Sequence, residues 1–133
     1  RRSQIRDYIE SVVRFLAQEL KLENSSWALE VHTQRGMAKQ NDVRGCVTRV
    51  GPKYLLMYLD SALDVERLTI TIAHEMVHVK QYAKGQIQFK HGRKTPNWMG
   101  KKSKKHYYEQ PWELEAFTKE RILANKIFKI CKM

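Results

Sequence analysis

The sequence predicts an α+β domain, and three observations carry that reading. A helical period opens the chain and two more occupy its second half. Between the first and second helices lie short segments with the two-residue period of strands. The residues that break periodicity, Asn24-Ser25-Ser26, Gly51-Pro52, Gly85 and Pro111, fall at the joints. The chain has 133 residues, of which 42% are hydrophobic and 29% charged. That mixture builds one real core and excludes a disordered, collagen-like or low-complexity protein. No repeat and no Gly/Ser linker divides it, so residues 1–133 are expected to form a single domain.

The first helix is expected over residues 3–22. Ile5, Ile9, Val12, Leu16 and Leu20 recur at steps of three and four, the stripe of a helix with one buried face. Residues 27–32 alternate and place Trp27, Leu29 and Val31 on one side of a strand. Residues 33–42 are polar, contain Gly36 and read as a loop. Residues 43–50 and 53–59 are rich in β-branched and aromatic side chains, and Gly51-Pro52 between them supplies hairpin chemistry. The sheet is expected to be small and mostly antiparallel. Asp60-Ser61 offers an N-cap for a helix ending near Lys84, with Gly85 as the residue after its C-cap. Ile87 and Phe89 suggest a short strand, residues 90–106 a basic loop, and Pro111 the first turn of a last helix reaching about residue 130.

Lysine and arginine total 25 against 14 aspartates and glutamates, a net charge of +11. Such a surface attracts DNA or other polyanions in a salt-dependent way. Lys101, Lys102, Lys104 and Lys105, beside Trp98, Tyr107 and Tyr108, are the candidate nucleic-acid contacts, because single strands bind where cations alternate with aromatic rings. The apolar runs are too short for the roughly 20 residues of a membrane-spanning helix. No signal-peptide pattern opens the chain. Cys46 and Cys131 form no CxxC pair, which favours a reducing compartment. The expected location is the cytoplasm, with no membrane partner.

Chemistry concentrates in His74-Glu75-Met76-Val77-His78. On a helix, positions i and i+4 project from one face, so both imidazoles can bind one Zn²⁺. Glu75, beside the first histidine, can reach a water at the metal and act as general base. Leu68, Ile72, Met76, Val79 and Ala83 form the buried stripe of the same helix, leaving Thr71, His74, Glu75 and His78 to another face. A catalytic zinc takes three protein ligands. A His-x-x-Gly-x-x-His extension would need glycine at position 81 and histidine at position 84, where the chain has Gln81 and Lys84. The third ligand is therefore sought in Pro111-Trp112-Glu113-Leu114-Glu115-Ala116 or at His91. Glu113 shares a stripe with Ala116, Glu120, Leu123 and Ile127, whereas Glu115 aligns with Lys119 and is expected to face solvent. Glu113 is the leading candidate, with His91 and then Glu115 as alternatives.

H-E-M-V-H, followed by Lys80-Gln81-Tyr82, Gly85, Trp98, Gly100-Lys101, Tyr107-Tyr108 and P-W-E-L-E-A, resembles the small zincin-type metallopeptidases of tailed bacteriophages, the minimal gluzincins. The resemblance covers about residues 68–120. It implies a zincin-like fold and a Zn²⁺-dependent peptidase acting on peptide or protein, in the host-cell cytoplasm if phage-encoded. His74, His78 and Glu113 would be the ligands and Glu75 the base. The related pattern E-x-x-A-D/N carries Asp or Asn at position 117, where this chain has Phe117. SprT-like proteases, which act on DNA-attached proteins, are similar in H-E-M-[IV]-H and a later H-G, matched by His91-Gly92; P-W-E-L-E-A has no counterpart there. Tyr108 is the first candidate donor to the oxyanion that peptide hydrolysis generates. The strand at 53–59 is a candidate to pair with an extended substrate if it lies at a sheet edge. The reading from another class is a non-catalytic basic module that binds nucleic acid or protein.

Overall fold

The structure is a computed structural model and describes residues 2–88, 97–102 and 110–131. Its elements alternate in the α+β manner. Helix α1 (Arg2–Glu19) buries Ile9, Val12 and Leu16, with Leu20 just beyond its end, the stripe expected from their spacing. Strand β1 (Ala28–Thr33) turns Leu29 and Val31 to one side. Strands β2 (Gly45–Gly51) and β3 (Tyr54–Leu59) form the hairpin across Pro52-Lys53. Helix α3 (Val65–Ala83) carries the histidine pair, and α4 (Pro111–Cys131) begins at Pro111, where proline lacks only an N–H that a first turn leaves unpaired. Gly85 sits at φ +68° just past α3, and Gln86 N–H donates to the Gln81 carbonyl at 2.8 Å to close the helix.

Two local expectations are corrected together. Residues 33–42 contain a short helix, α2 (Met37–Asn41), rather than only loop. Helix α3 starts at Val65, capped by Asp64, whose side chain accepts from Arg67 N–H, and not at Asp60-Ser61. Asp60 is buried and its carboxylate accepts from the backbone N–H groups of Gly36 (2.9 Å), Ala38 (2.9 Å) and Ala62 (2.8 Å). A capping residue thus serves a helix more than twenty positions upstream, a relation that local pattern does not reveal. Those three donors outweigh the burial that would raise the Asp60 pKa and hold it below the usual carboxylate value.

The main sheet has the order β1-β3-β2. It is mixed rather than mostly antiparallel: β1 pairs with β3 in parallel, Ala28 opposite Tyr54 through Thr33 opposite Leu59, and β2 pairs with β3 antiparallel. The link through α2 reverses the chain once and the hairpin reverses it again, so β3 returns in the direction of β1. A second, antiparallel sheet joins β4 (Ile87–Gln88), β5 (Asn97–Trp98) and β6 (Lys101–Lys102). Part of the expected basic loop, 97–102, is therefore a tight hairpin turning at Met99 and Gly100, both at positive φ. The rest of 90–106 lies outside the described residues.

Helix α3 is the hub, packed against α1, α4 and the sheet. One hydrophobic cluster runs through all of them, including Leu16 of α1, Leu55, Met57 and Leu59 of β3, Ile72 and Met76 of α3, and Ala116, Leu123 and Ala124 of α4. Each fully buried large side chain there contributes about 1.5–3 kcal/mol. Tyr8 O–H ties α1 to Thr69 of α3 at 2.5 Å. Among the described residues no helix is long and apolar enough to cross a membrane.

Candidate metal centre

The core fixes the site from behind. With Leu68, Ile72, Met76 and Val79 buried, the opposite side of α3 must carry His74 and His78 towards α4. One helical turn separates them, and their ring centroids are 5.0 Å apart. Ala116, Leu123 and Ala124 seat α4 against α3, and this brings the first turn of α4 to the two rings. There the Glu113 carboxylate, 8% exposed, places Oε1 3.1 Å from His74 Nε2 and 3.0 Å from His78 Nε2.

The far nitrogen of each ring is also engaged. His74 Nδ1 lies 2.8 Å from Glu120 Oε1, and His78 Nδ1 lies 2.8 Å from Gln81 Oε1. An ionised carboxylate only accepts, so Glu120 demands the proton on Nδ1 of His74. That leaves Nε2 facing Glu113, where it either carries a second proton or offers a lone pair to a cation. Without a metal the protonated arrangement prevails. Burial by itself would lower the His74 pKa, but the hydrogen bonds to Glu113 and Glu120 outweigh it and lift it to about 9. Burial likewise pushes Glu113 up, and its bonds to His74 and His78 reverse that and take it down to about 2.

His74, His78 and Glu113 offer ligand atoms all within 4.8 Å of one another and could hold a metal ion. Two tetrahedral ligands with bonds of 2.0–2.1 Å stand about 3.3 Å apart. The observed 3.0–3.1 Å separations need to open by only a few tenths of an ångström. Two imidazoles with Nδ1 anchored and one buried carboxylate also fit the chemistry of such a site.

Glu75 is buried beside the pair, and burial raises its pKa above the usual carboxylate value. Strand β2 covers it: a Cβ built at Gly45 would lie 3.3 Å from Glu75 Cγ. Phe117 forms an apolar wall, its ring 4.8 Å from that of His74. It stands where the resemblance calls for Asp or Asn, and Glu120, one turn further on α4, is the carboxylate that meets His74.

Several expectations change. The strand at 53–59 is β3, the middle of the main sheet, with both its edges paired; β1 and β2 are the edge strands of that sheet, and β2 is the one beside Glu75. Glu115 does not face open solvent: its carboxylate accepts from Lys80, Gln81 and Lys119. His91, Tyr108, Lys104 and Lys105 lie outside the described residues. Lys101 is exposed on the β5–β6 hairpin, with Lys102 beside it in β6, away from the three clustered ligand atoms in sequence. Sequence reasoning missed Glu120 and Gln81 as partners of the histidines. Glu120 had a signal, an acidic residue two turns beyond Glu113 on an otherwise inward stripe. No family model matches the chain, and neither the curated proteins nor the solved structures contain a match to it.

Proposed function

We propose that this chain is a zinc-dependent metallopeptidase of zincin-like fold, hydrolysing peptide bonds in a peptide or protein substrate. His74, His78 and Glu113 hold the ion and Glu75 is the general base. The observation that carries the reading is the convergence of two Nδ1-anchored imidazoles on one buried carboxylate oxygen, with a second buried carboxylate, Glu75, on the same helix. Bound there, zinc supplies Lewis acidity towards a carbonyl oxygen and acidifies water.

The chain's own residues do the rest. Glu75 takes a proton as the water oxygen bonds to the scissile carbonyl carbon, then delivers that proton to the amine nitrogen as the C–N bond breaks. Burial raises its proton affinity, which strengthens the ionised carboxylate as acceptor of the water proton. Glu120 and Gln81 keep the imidazoles turned. Phe117, itself half exposed, packs its ring against that of His74. The outer edge of β2 supports backbone pairing with an extended substrate.

The test is Glu75→Gln. The variant is expected to keep its fold and zinc while losing hydrolysis by about 100–10,000-fold, the usual worth of a general acid–base group. Equal activity in the two proteins would remove Glu75 from the mechanism. The net charge of +11 supports contact with DNA or another polyanion as a separable property, with Lys101 and Lys102 among the contributors. Titration of duplex and single-stranded DNA at two salt concentrations checks it; negligible binding at low salt would dismiss it. The free thiols of Cys46 and Cys131 support a reducing location, the cytoplasm.

A further inference from the structure

Gln81 is fully buried, and its carboxamide is committed at both ends. Nε2 donates to the Trp112 carbonyl oxygen at 2.9 Å and to Glu115 Oε1 at 2.9 Å. Neither partner can donate, so the amide has one orientation, and Oε1 is the atom left to face His78 Nδ1 at 2.8 Å. Glu115 is itself fixed: Oε2 accepts from Lys80 Nζ at 2.7 Å and from Lys119 Nζ at 2.9 Å. Lys80 is an unusually buried cation, its side chain 8% exposed. Its pKa is lowered by that burial, with Glu115 opposing the loss of charge. His74 has a carboxylate directly on its Nδ1, whereas His78 has a neutral amide whose polarity is dictated from two links away.

We infer that Glu115 and Gln81 are positioning residues that set the tautomer of His78: the lysine-held carboxylate orients the Gln81 amide, and the amide holds the proton on Nδ1 so that Nε2 is presented to the metal. The inference rests on the metal-centre reading above. Its sharpest consequence concerns one atom. In Glu115→Gln the side chain keeps its shape, and Lys80 and Lys119 still require an acceptor, so the new amide oxygen faces the lysines and its NH₂ faces Gln81 Nε2. Two donors then meet. Gln81 is then frustrated in either orientation: unflipped, its NH₂ opposes the new NH₂ of residue 115, and flipped, its Oε1 opposes the Trp112 carbonyl oxygen while its NH₂ turns towards His78 Nδ1 and favours the tautomer protonated on Nε2, so the acceptor that holds the Nδ1 proton is weakened or lost. Nothing in this sequence of events moves α4 or alters the three ligands.

The experiment measures zinc dissociation constants by competition with a chromogenic chelator. It compares wild type, Glu115→Gln, Gln81→Leu and the double variant, and melts the zinc-free forms alongside. Each single change is expected to weaken zinc about 10–100-fold, the usual effect of removing a residue that orients a metal ligand. The double variant is expected to be no weaker than Gln81→Leu, because Glu115 acts through Gln81. Imidazole ¹⁵N–¹H spectra of the zinc-loaded forms should show a slowly exchanging His78 Nδ1–H in wild type that is lost in Glu115→Gln. If Gln81→Leu does not fold, Gln81→Met takes its place in the cycle. Zinc affinity unchanged in Glu115→Gln overturns the inference. So do losses that add in the double variant, since that is the outcome for a carboxylate that merely pins α4 to α3. Wild type that binds no zinc overturns the metal-centre reading itself, and this inference falls with it by a separate result.

Discussion

Replacing Gly45 with alanine probes how tightly β2 is fitted over α3. The added Cβ would stand 2.8 Å from Thr71 Cγ2, 3.1 Å from the Tyr58 carbonyl oxygen and 3.3 Å from Glu75 Cγ. The first distance is shorter than carbon atoms tolerate, and the Thr71 methyl cannot swing aside without cost, because Thr71 Oγ1 donates to the Arg67 carbonyl at 2.8 Å. Strand β2 must therefore lift from α3. Overpacking of this kind costs about 1–3 kcal/mol. The smaller backbone entropy of alanine in the unfolded chain returns about 0.4–1 kcal/mol. The midpoints of the two ranges leave a net loss of about 1.3 kcal/mol, which lowers the melting temperature by roughly 5 °C for a chain of this size. Because the displaced wall also holds Glu75, hydrolysis is expected to fall at least about 10-fold. Zinc content should be unchanged, since none of the three clustered ligands is among the closest atoms to that Cβ. Thr71→Ser removes the nearest carbon and keeps the hydroxyl, so adding it to Gly45→Ala should restore most of the lost melting temperature. Calorimetry on the four proteins checks this. A Gly45→Ala variant that melts at or above wild type, or one that Thr71→Ser fails to relieve, would refute the reasoning.

Four further outcomes follow from the site and its charges. Glu120→Ala frees His74 Nδ1 and is expected to weaken zinc about 10–100-fold in a chelator competition; wild-type affinity would show that the His74–Glu120 bond does not matter. Asp60→Ala strips the acceptor from three backbone N–H groups and should cost about 2–4 kcal/mol in denaturant unfolding. For the zinc-free protein, the His74 pKa raised from 6.5 to about 9 gives stability that is complete below pH 6.5 and is lost as pH climbs through 9. The Glu113 pKa lowered from 4.5 to about 2 gives stability that is complete above pH 4.5 and is lost as pH falls through 2. Melting of chelator-treated protein should therefore be highest between pH 4.5 and 6.5. Zinc affinity should instead rise from pH 6.5 to 9, because the ion displaces the His74 proton.

What was legible in the sequence is what depends on local period. The α+β class, the stripe of α1, the histidines sharing one face of α3 and the start of α4 at Pro111 all follow from spacing within one element. The stripe that Glu113 shares with Ala116 and Leu123 marks it over Glu115, and burial of those two residues is what brings it to both imidazoles. Features that depend on contacts between elements were not legible. Helix α2 exists because Asp60 reaches back to it, and Asp60 looked like the cap of the next helix. The parallel β1–β3 pairing depends on chain reversals that no alternation pattern records. Glu115, one turn before Lys119, had the pattern of an exposed ion pair; only the approach of α3 adds Lys80 and Gln81 to it and makes it part of the site's support.

The most direct test of the central claim is zinc content by metal analysis of the purified wild type beside Glu113→Ala and His91→Ala. The account predicts close to one zinc per chain in wild type, loss of the ion in Glu113→Ala and its retention in His91→Ala. A wild type that takes up no zinc after reconstitution, or zinc that survives Glu113→Ala and leaves with His91→Ala, would contradict it.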